Sequence, residues 1–204
     1  MSGTQLLGHC PHQIELPHCK RATLHQLAQG LHMLATWREM TLNQFEAAFC
    51  MLHTCIERCP QAAWDAPVVN LAFCQAVFHT LFCADYYLGE TPDALRQQPF
   101  HRDNEDFFRN YEELQDRKPE LLYDKPSIRA YLQHCRDKAA EVITAECEES
   151  LEPPSGFGRR EFSRAELHVY NIRHIQHHAA QLSLRLRVDD GVEIPWIGSG
   201  WCDV

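Results

Sequence analysis

One stretch of the chain, from about Val69 to Leu88, is apolar on nearly every side of a helical wheel. Its large apolar residues are Leu71, Phe73, Val77, Phe78, Leu81, Phe82, Tyr86 and Leu88. A helix with one apolar face can lie on a protein surface, but a helix that is apolar all round has to be buried. The stretch therefore predicts a central helix that other helices surround.

Three further stretches have apolar residues at helical spacing and supply those neighbours. They run from about Trp37 to Cys59, from Pro126 to Leu151 and from Ser163 to Val188. Two pairs have the spacing of a capping box, which favours a helix start: Thr36 with Glu39, and Ser163 with Glu166. Proline or glycine follows each stretch, as expected where a helix ends.

Four long helices without a credible set of strands predict an all-α four-helix bundle over residues 33–188. The first and last connections are short, so the helices that they join should be antiparallel. The connection at 90–125 is long enough to cross the bundle, so helices 2 and 3 should run parallel. A short peripheral helix is expected within it, from about Asp103 to Asp116.

The ends of the chain are patterned less clearly. Residues 1–32 form a poorly patterned extension, with room for a short helix over 22–35. Residues 189–204 are expected to form an irregular tail.

Composition narrows the class of partner. The net charge is -9 and the basic residues are scattered, which argues against nucleic acid as a partner. No apolar run reaches the ~20 residues that span a bilayer, and the N-terminus lacks the regions of a signal peptide. We therefore expect a cytoplasmic protein without a membrane partner, with its 10 cysteines reduced.

Three of the 13 histidines stand out by position. His174 and His178 are four residues apart, so their side chains lie within ~40° of each other on one helix. His79 lies in the middle of the apolar second helix, where a polar side chain needs a partner. All three fall near mid-height of their helices, so we expect them to bind one divalent metal ion and to leave a position open. The alternatives are a solvated histidine pair and a core histidine hydrogen-bonded to a carbonyl or a tyrosine.

These residues resemble a known family. The second helix reads VFHTLFCADYYL from Val77, and the fourth reads LHVYNIRHIQHHAAQL from Leu167. One histidine on helix 2 and a His-x-x-x-His pair on helix 4, followed here by Ala180 and Gln181, resemble the DinB/YfiT superfamily over about residues 33–188. The resemblance implies an up-down-down-up bundle, a three-histidine site for zinc, nickel or a similar ion, and frequent homodimers.

Several side chains near the expected site are candidates for supporting roles. Asn171 and Gln181 share the arc of the histidine pair. His177 and His168 point elsewhere, and we expect them behind the ligands or at the surface. Cys83 comes one turn after the histidine of the second helix and could add a thiolate, although inert packing is the default for a buried cysteine.

A metal ion with an open position can polarise a carbonyl, activate water or hold a thiol as its thiolate. The residue after His174 is Ile175 rather than the glutamate of a zincin, and no acidic residue of that helix shares the histidine arc. No catalytic residue is assigned. The resemblance implies a family of thiol-dependent transferases and isomerases, proposed hydrolases and members of unknown role. Because thiol transfer needs no carboxylate base, we favour transfer of a low-molecular-weight thiol to a small electrophile. A metal-dependent hydrolase and a non-catalytic, metal-containing stress or interaction module are the alternatives.

Overall fold

The computed structural model describes residues 24–68, 70–109, 120–157 and 161–202, and most of these are helical. The all-α class expected from the sequence is therefore confirmed. Strand in the described ranges is limited to β1 (Pro67–Val68) and β2 (Leu71–Ala72), which pair as a short antiparallel hairpin. The sequence patterns did not predict this hairpin. None of the described helices combines the length and apolar character needed to cross a membrane.

Four long helices enclose the core. They are α1 (Leu24–Arg58), α3 (Phe73–Leu88), α5 (Lys125–Ala145) and α7 (Arg164–Asp190). Shorter pieces connect them: α2 (Gln61–Trp64), a 3₁₀ helix (Pro92–Gln97), α4 (Pro99–Asp103) and α6 (Glu148–Leu151). Both α1 and α3 pack against α5 and against α7.

The central helix is α3. Every one of its residues except His79 and Tyr86 is buried, which agrees with its apolar sequence. It begins at Phe73 rather than near residue 69 because the hairpin occupies the preceding residues. His79 is only partly buried within this otherwise buried helix, and its side chain can therefore contact residues of α7.

The first helix differs from its prediction. It begins at Leu24 as one continuous helix, so neither a start near Trp37 nor a separate helix over 22–35 is correct. Thr36 lies inside α1, and its hydroxyl donates to the carbonyl of His32, 3.0 Å away, instead of capping a helix start. Of the extension predicted at 1–32, residues 1–23 lie outside the described part of the chain.

The other helix ends follow local rules. Ser163 caps α7, since its hydroxyl accepts from the backbone N–H of Glu166 at 3.2 Å. Gly191 ends α7 in the left-handed conformation, with φ of 67°. The helix predicted to run to residue 151 is interrupted after Ala145 and resumes as α6. The peripheral helix predicted from about Asp103 to Asp116 is wrong over the described part of that range: α4 ends at Asp103, turns follow over 104–108, and residues 110–119 lie outside the described ranges.

Residues 191–202, which follow α7, are non-helical and lie on the outside of α1. The N–H of Gly200 donates to the carbonyl of Asn43 at 3.0 Å. The guanidinium of Arg136 lies 3.4 Å from the centre of the Trp201 ring, which connects the tail to α5.

Candidate metal centre

The three histidines singled out in the sequence lie together between α3 and α7. The ring of His79 is 5.5 Å from that of His174 and 5.0 Å from that of His178, centre to centre, and the latter two rings are 4.6 Å apart. The Nε2 atoms of His174 and His178 are 3.2 Å apart. Two nitrogens at ~2.0–2.1 Å from one tetrahedral ion stand ~3.4 Å apart. The pair is therefore already spaced as two ligands of one ion would be.

The packing of α7 explains this arrangement. Ile175, Ala179 and Leu182 are buried against the core. His174 and His178 flank that apolar stripe and are half-buried. Because α3 packs directly against α7, the half-buried His79 of α3 contacts the rings of both His174 and His178.

Two of the three histidines, His79 and His178, are held in their neutral form. Burial lowers the pKa of His79. Burial also lowers the pKa of His178 to about 4, and the neighbouring His79 and His177 add to the effect. A neutral imidazole keeps a nitrogen lone pair, which is the form that binds a metal.

Gln181 supports the pair from one turn further along α7. Its Oε1 is 3.1 Å from Nδ1 of His178, and its Nε2 donates to Nε2 of His177 at 3.0 Å. A hydrogen bond from Nδ1 of His178 to this amide fixes the ring and leaves Nε2 free as an acceptor. His177 itself is exposed, and it contacts the site through Gln181 and through the His178 ring, whose centre lies 5.1 Å from its own.

Cys83 lies one turn after His79 and is buried. Its Sγ is 3.9 Å from Nε2 of His79. One ligand atom each from His79, Cys83 and His174 lie within 4.8 Å of one another. The thiol is therefore adjacent to two of the three imidazoles, those of His79 and His174.

The remaining two candidates on α7 have other roles. Asn171 is fully buried, and its Nδ2 donates to the carbonyl of Ala84 at 2.9 Å. It therefore connects α7 to α3 beside Cys83. His168 was expected at the surface or behind the ligands, and that prediction is wrong, since it is fully buried. It lies two helical turns before Ile175, on the same apolar face, and this spacing in the sequence could have revealed its burial.

His168 belongs to a separate polar cluster around Glu146. The carboxylate accepts from Nε2 of His168 at 2.8 Å, from Nε of Arg164 at 2.9 Å and from the hydroxyl of Ser150 at 2.6 Å. Burial alone would raise the pKa of Glu146, but these hydrogen bonds lower it to about 2. This cluster joins the α5–α6 junction to the start of α7.

A cavity of about 580 Å³ opens beside His178. Its apolar lining is formed by Val68, Leu71, Ala76, Leu184 and Val188. Gln181 and His178 lie on its wall, and the carboxylate of Asp189 there is ion-paired with Arg185. The size and largely apolar lining suit a small molecule that presents its polar end to the histidines.

A second group of potential ligands was not found from the sequence. It consists of Asp85, His101 and His134, whose ligand atoms also lie within 4.8 Å of one another. The Asp85 carboxylate, however, already accepts from Nε2 of His101 at 2.6 Å, from the hydroxyl of Tyr131 at 3.0 Å and from the Lys138 ammonium. Burial opposes ionisation, but the hydrogen bonding from His101 and the charge of Lys138 hold the pKa of the Asp85 carboxyl well below its usual range. A carboxylate in an otherwise apolar helix was the available sequence signal.

Comparisons of the chain with models of protein families, with curated proteins and with solved structures give no significant match. The resemblance to the DinB/YfiT superfamily thus depends on the residues quoted above and stays a prediction.

Proposed function

We propose that the chain is a DinB/YfiT-like metal-binding protein, in which His79, His174 and His178 hold one divalent ion. The four long helices would form the up-down-down-up bundle of that family. The observation that carries the proposal is the convergence of three imidazoles from two helices at the edge of an apolar cavity. A polar surface that merely contained histidines would have no reason to place them there.

The three imidazole donors suit the metal ions that we propose, zinc or nickel. Imidazole nitrogens suit zinc and nickel among the common divalent ions. The rings of His79 and His178 are neutral because burial lowers the pKa of each. The amide of Gln181 holds His178 from behind, as metal-bound histidines usually require.

Within this site we propose the transfer of a low-molecular-weight thiol to a small electrophile. A bound divalent ion would supply Lewis acidity and would hold a thiol as its thiolate. The new bond joins the thiol sulfur to the electrophilic carbon, the leaving group departs with the electron pair of the broken bond, and the thiol proton passes to solvent. No carboxylate base is needed for this reaction.

The cavity would supply binding and orientation. Leu71, Leu184 and Val188 would contact the carbon skeleton of the electrophile and exclude water from it. The polar end of the substrate would lie at the wall formed by His178 and Gln181. A hydrolase is less well supported, since Asp189 is the acidic side chain that lines this cavity and Arg185 already pairs with it.

Metal analysis tests the binding part of the proposal. Purified protein should contain about one equivalent of zinc or nickel by mass spectrometry, and His79→Ala, His174→Ala and His178→Ala should each lose it. His177→Ala is the matched control, because this exposed residue neighbours His178 on the same helix. Unchanged metal content in His79→Ala would contradict the assignment.

An activity screen tests the transfer. The metal-loaded protein is incubated with glutathione or cysteine and a chromogenic aryl halide, and then with a chromogenic ester without thiol. Thiol-dependent release of halide that disappears in His79→Ala supports the transferase. Thiol-independent ester cleavage supports a hydrolase instead, and inactivity in both assays favours the non-catalytic alternative.

A further inference from the structure

We propose that Cys83 supplies a fourth donor, a thiolate, to the ion held by His79, His174 and His178. This inference rests on the proposed function, since it requires a metal at that site. It goes beyond the three-histidine set, because a thiolate changes both the charge and the openness of the centre.

The first argument is position. Cys83 follows His79 by one turn of α3, so both side chains leave the helix on the same face. Its Sγ is 3.9 Å from Nε2 of His79. A nitrogen at ~2.0–2.1 Å and a sulfur at ~2.3 Å from one tetrahedral ion are ~3.5 Å apart. A shift of a few tenths of an ångström by either side chain thus brings this pair of donors to ligand spacing.

The second argument comes from the other buried thiols of the chain. The thiols of Cys55 and Cys135 each lie 3.6 Å from a backbone carbonyl, that of Ala179 and that of Leu81 respectively. Those contacts are typical of cysteines that pack as small apolar residues with a weak donor. Cys83 differs from them in that one imidazole nitrogen lies 3.9 Å from its Sγ and a second lies within 4.8 Å.

The third argument is the rigidity of the backbone that carries Cys83. Asn171 donates to the carbonyl of Ala84, the next residue, and so fixes this turn of α3 against α7. His174 lies on α7 one turn after Asn171. The hydrogen bond therefore sets the separation between the thiol and the histidine pair, as a site with donors from two helices requires.

A fourth protein donor has a consequence for function. Zinc with four protein ligands is a closed, structural type of site, whereas three ligands leave a position for substrate. If Cys83 binds the ion, a substrate thiol must displace it or enter as a fifth ligand. Release of Cys83 then becomes the step that opens the centre, and reagents that alkylate this thiol would hold the site open.

Cobalt substitution tests the inference directly. The wild-type protein loaded with one equivalent of Co²⁺ should show the intense near-ultraviolet charge-transfer band of a thiolate–cobalt bond. Cys83→Ala should still bind Co²⁺ at the histidines but lose the band, with affinity reduced by about 10-fold or more, since even residues behind the ligands change affinity by ~10–100-fold. Cys135→Ala, another buried thiol of the core, should keep the band.

The outcomes separate the two proposals. Stoichiometric cobalt without the band in the wild-type protein overturns the role of Cys83 and leaves the three-histidine site intact. Cobalt binding that is equally absent from the wild-type protein and from His79→Ala overturns both.

A second measurement avoids variants that fail to fold. The wild-type protein is treated with N-ethylmaleimide with and without Zn²⁺, and the modified peptides are identified by mass spectrometry. Zinc should protect Cys83 and leave the exposed Cys202 as reactive as before. Equal labelling of Cys83 in both samples would contradict the inference.

Discussion

Two histidine clusters lie on different faces of α3, one toward α7 and the other toward α5, and they differ in what their nitrogens and oxygens already bind. Around His79, neutral imidazoles face one another and a thiol beside an open cavity. Around Asp85, a buried carboxylate accepts hydrogen bonds from His101 and Tyr131 and pairs with Lys138. Both groups satisfy the spacing of a metal site, but in the second the carboxylate is already paired with an ammonium.

The difference shows that residue types at metal-binding distance do not define a metal site. An ion entering the Asp85 cluster would have to displace the ammonium of Lys138 and accept repulsion from it. An ion entering the His79 cluster would gain neutral nitrogen donors from His79 and His178. The Asp85 cluster therefore serves to hold the connection after α3 to the bundle, and the His79 cluster is the candidate centre.

Zinc-dependent stability should separate the clusters most clearly. A ligand that binds only the folded state adds about 4 kcal/mol to the free energy of unfolding when its free concentration is ~1,000 times its Kd. Zinc should stabilise the wild-type protein and His134→Ala in this way, and should not stabilise His79→Ala. Urea unfolding with buffered zinc and with chelator measures the effect. A zinc effect that survived in His79→Ala but vanished in His134→Ala would reverse the comparison.

The second test removes the charge at the centre of the Asp85 cluster. Asp85→Asn leaves the Lys138 ammonium without its buried counter-ion, and breaking such a pair costs about 3 kcal/mol or more. Urea unfolding of the metal-free protein should show this loss, while metal content stays at the wild-type level. Asp137→Asn, on the exposed side of α5, is the control and should change stability by less than ~0.5 kcal/mol.

Glu146 tests whether a second hydrogen-bonded carboxylate stabilises the fold through its charge, as we expect for Asp85. Its pKa is about 2 in the folded protein, against ~4.3 in an unfolded chain. The unfolded state therefore binds the proton first, and the stabilisation is complete above pH ~5 and is lost as the pH falls toward 2. We expect about 2 kcal/mol at pH 7, below the full value for such a shift because Glu146 lines a surface cavity.

The measurement compares Glu146→Gln with the wild-type protein from pH 7 down to pH 3. The variant should be less stable by a constant amount above pH 5, and the difference should shrink as the solution is acidified. A difference that is independent of pH would show that the charge of Glu146 contributes nothing.

The histidine centre could be predicted from the sequence because helical spacing and depth along a helix determine which side chains meet. The start of α1 could not, because most side chains over residues 29–36 are exposed. Leu31 and Met33 there are 71% and 66% exposed, so no core-facing stripe marked the helix.

The Asp85 cluster was missed for a different reason. His101 and Gln98 reach Asp85 from the connection after α3, and the path of an irregular connection leaves no periodic signal.

The smallest effect should come from the residue that orients the metal ligands without binding the ion. Gln181 accepts from Nδ1 of His178, so Gln181→Ala frees that ring to rotate and leaves its Nε2 poorly aimed. Loss of such a partner weakens metal affinity by ~10–100-fold, and we expect about 10-fold because Gln181 is exposed and water can replace its amide.

Competition with a chromophoric chelator gives the Kd for zinc. Gln176→Ala is the control, since Gln176 lies on the same helix but contacts Met51 instead. Equal zinc affinity in Gln181→Ala and Gln176→Ala would mean that packing alone orients the His178 ring. The two clusters would then also differ in how they orient their histidines, by packing around His79 and by hydrogen bonds around Asp85.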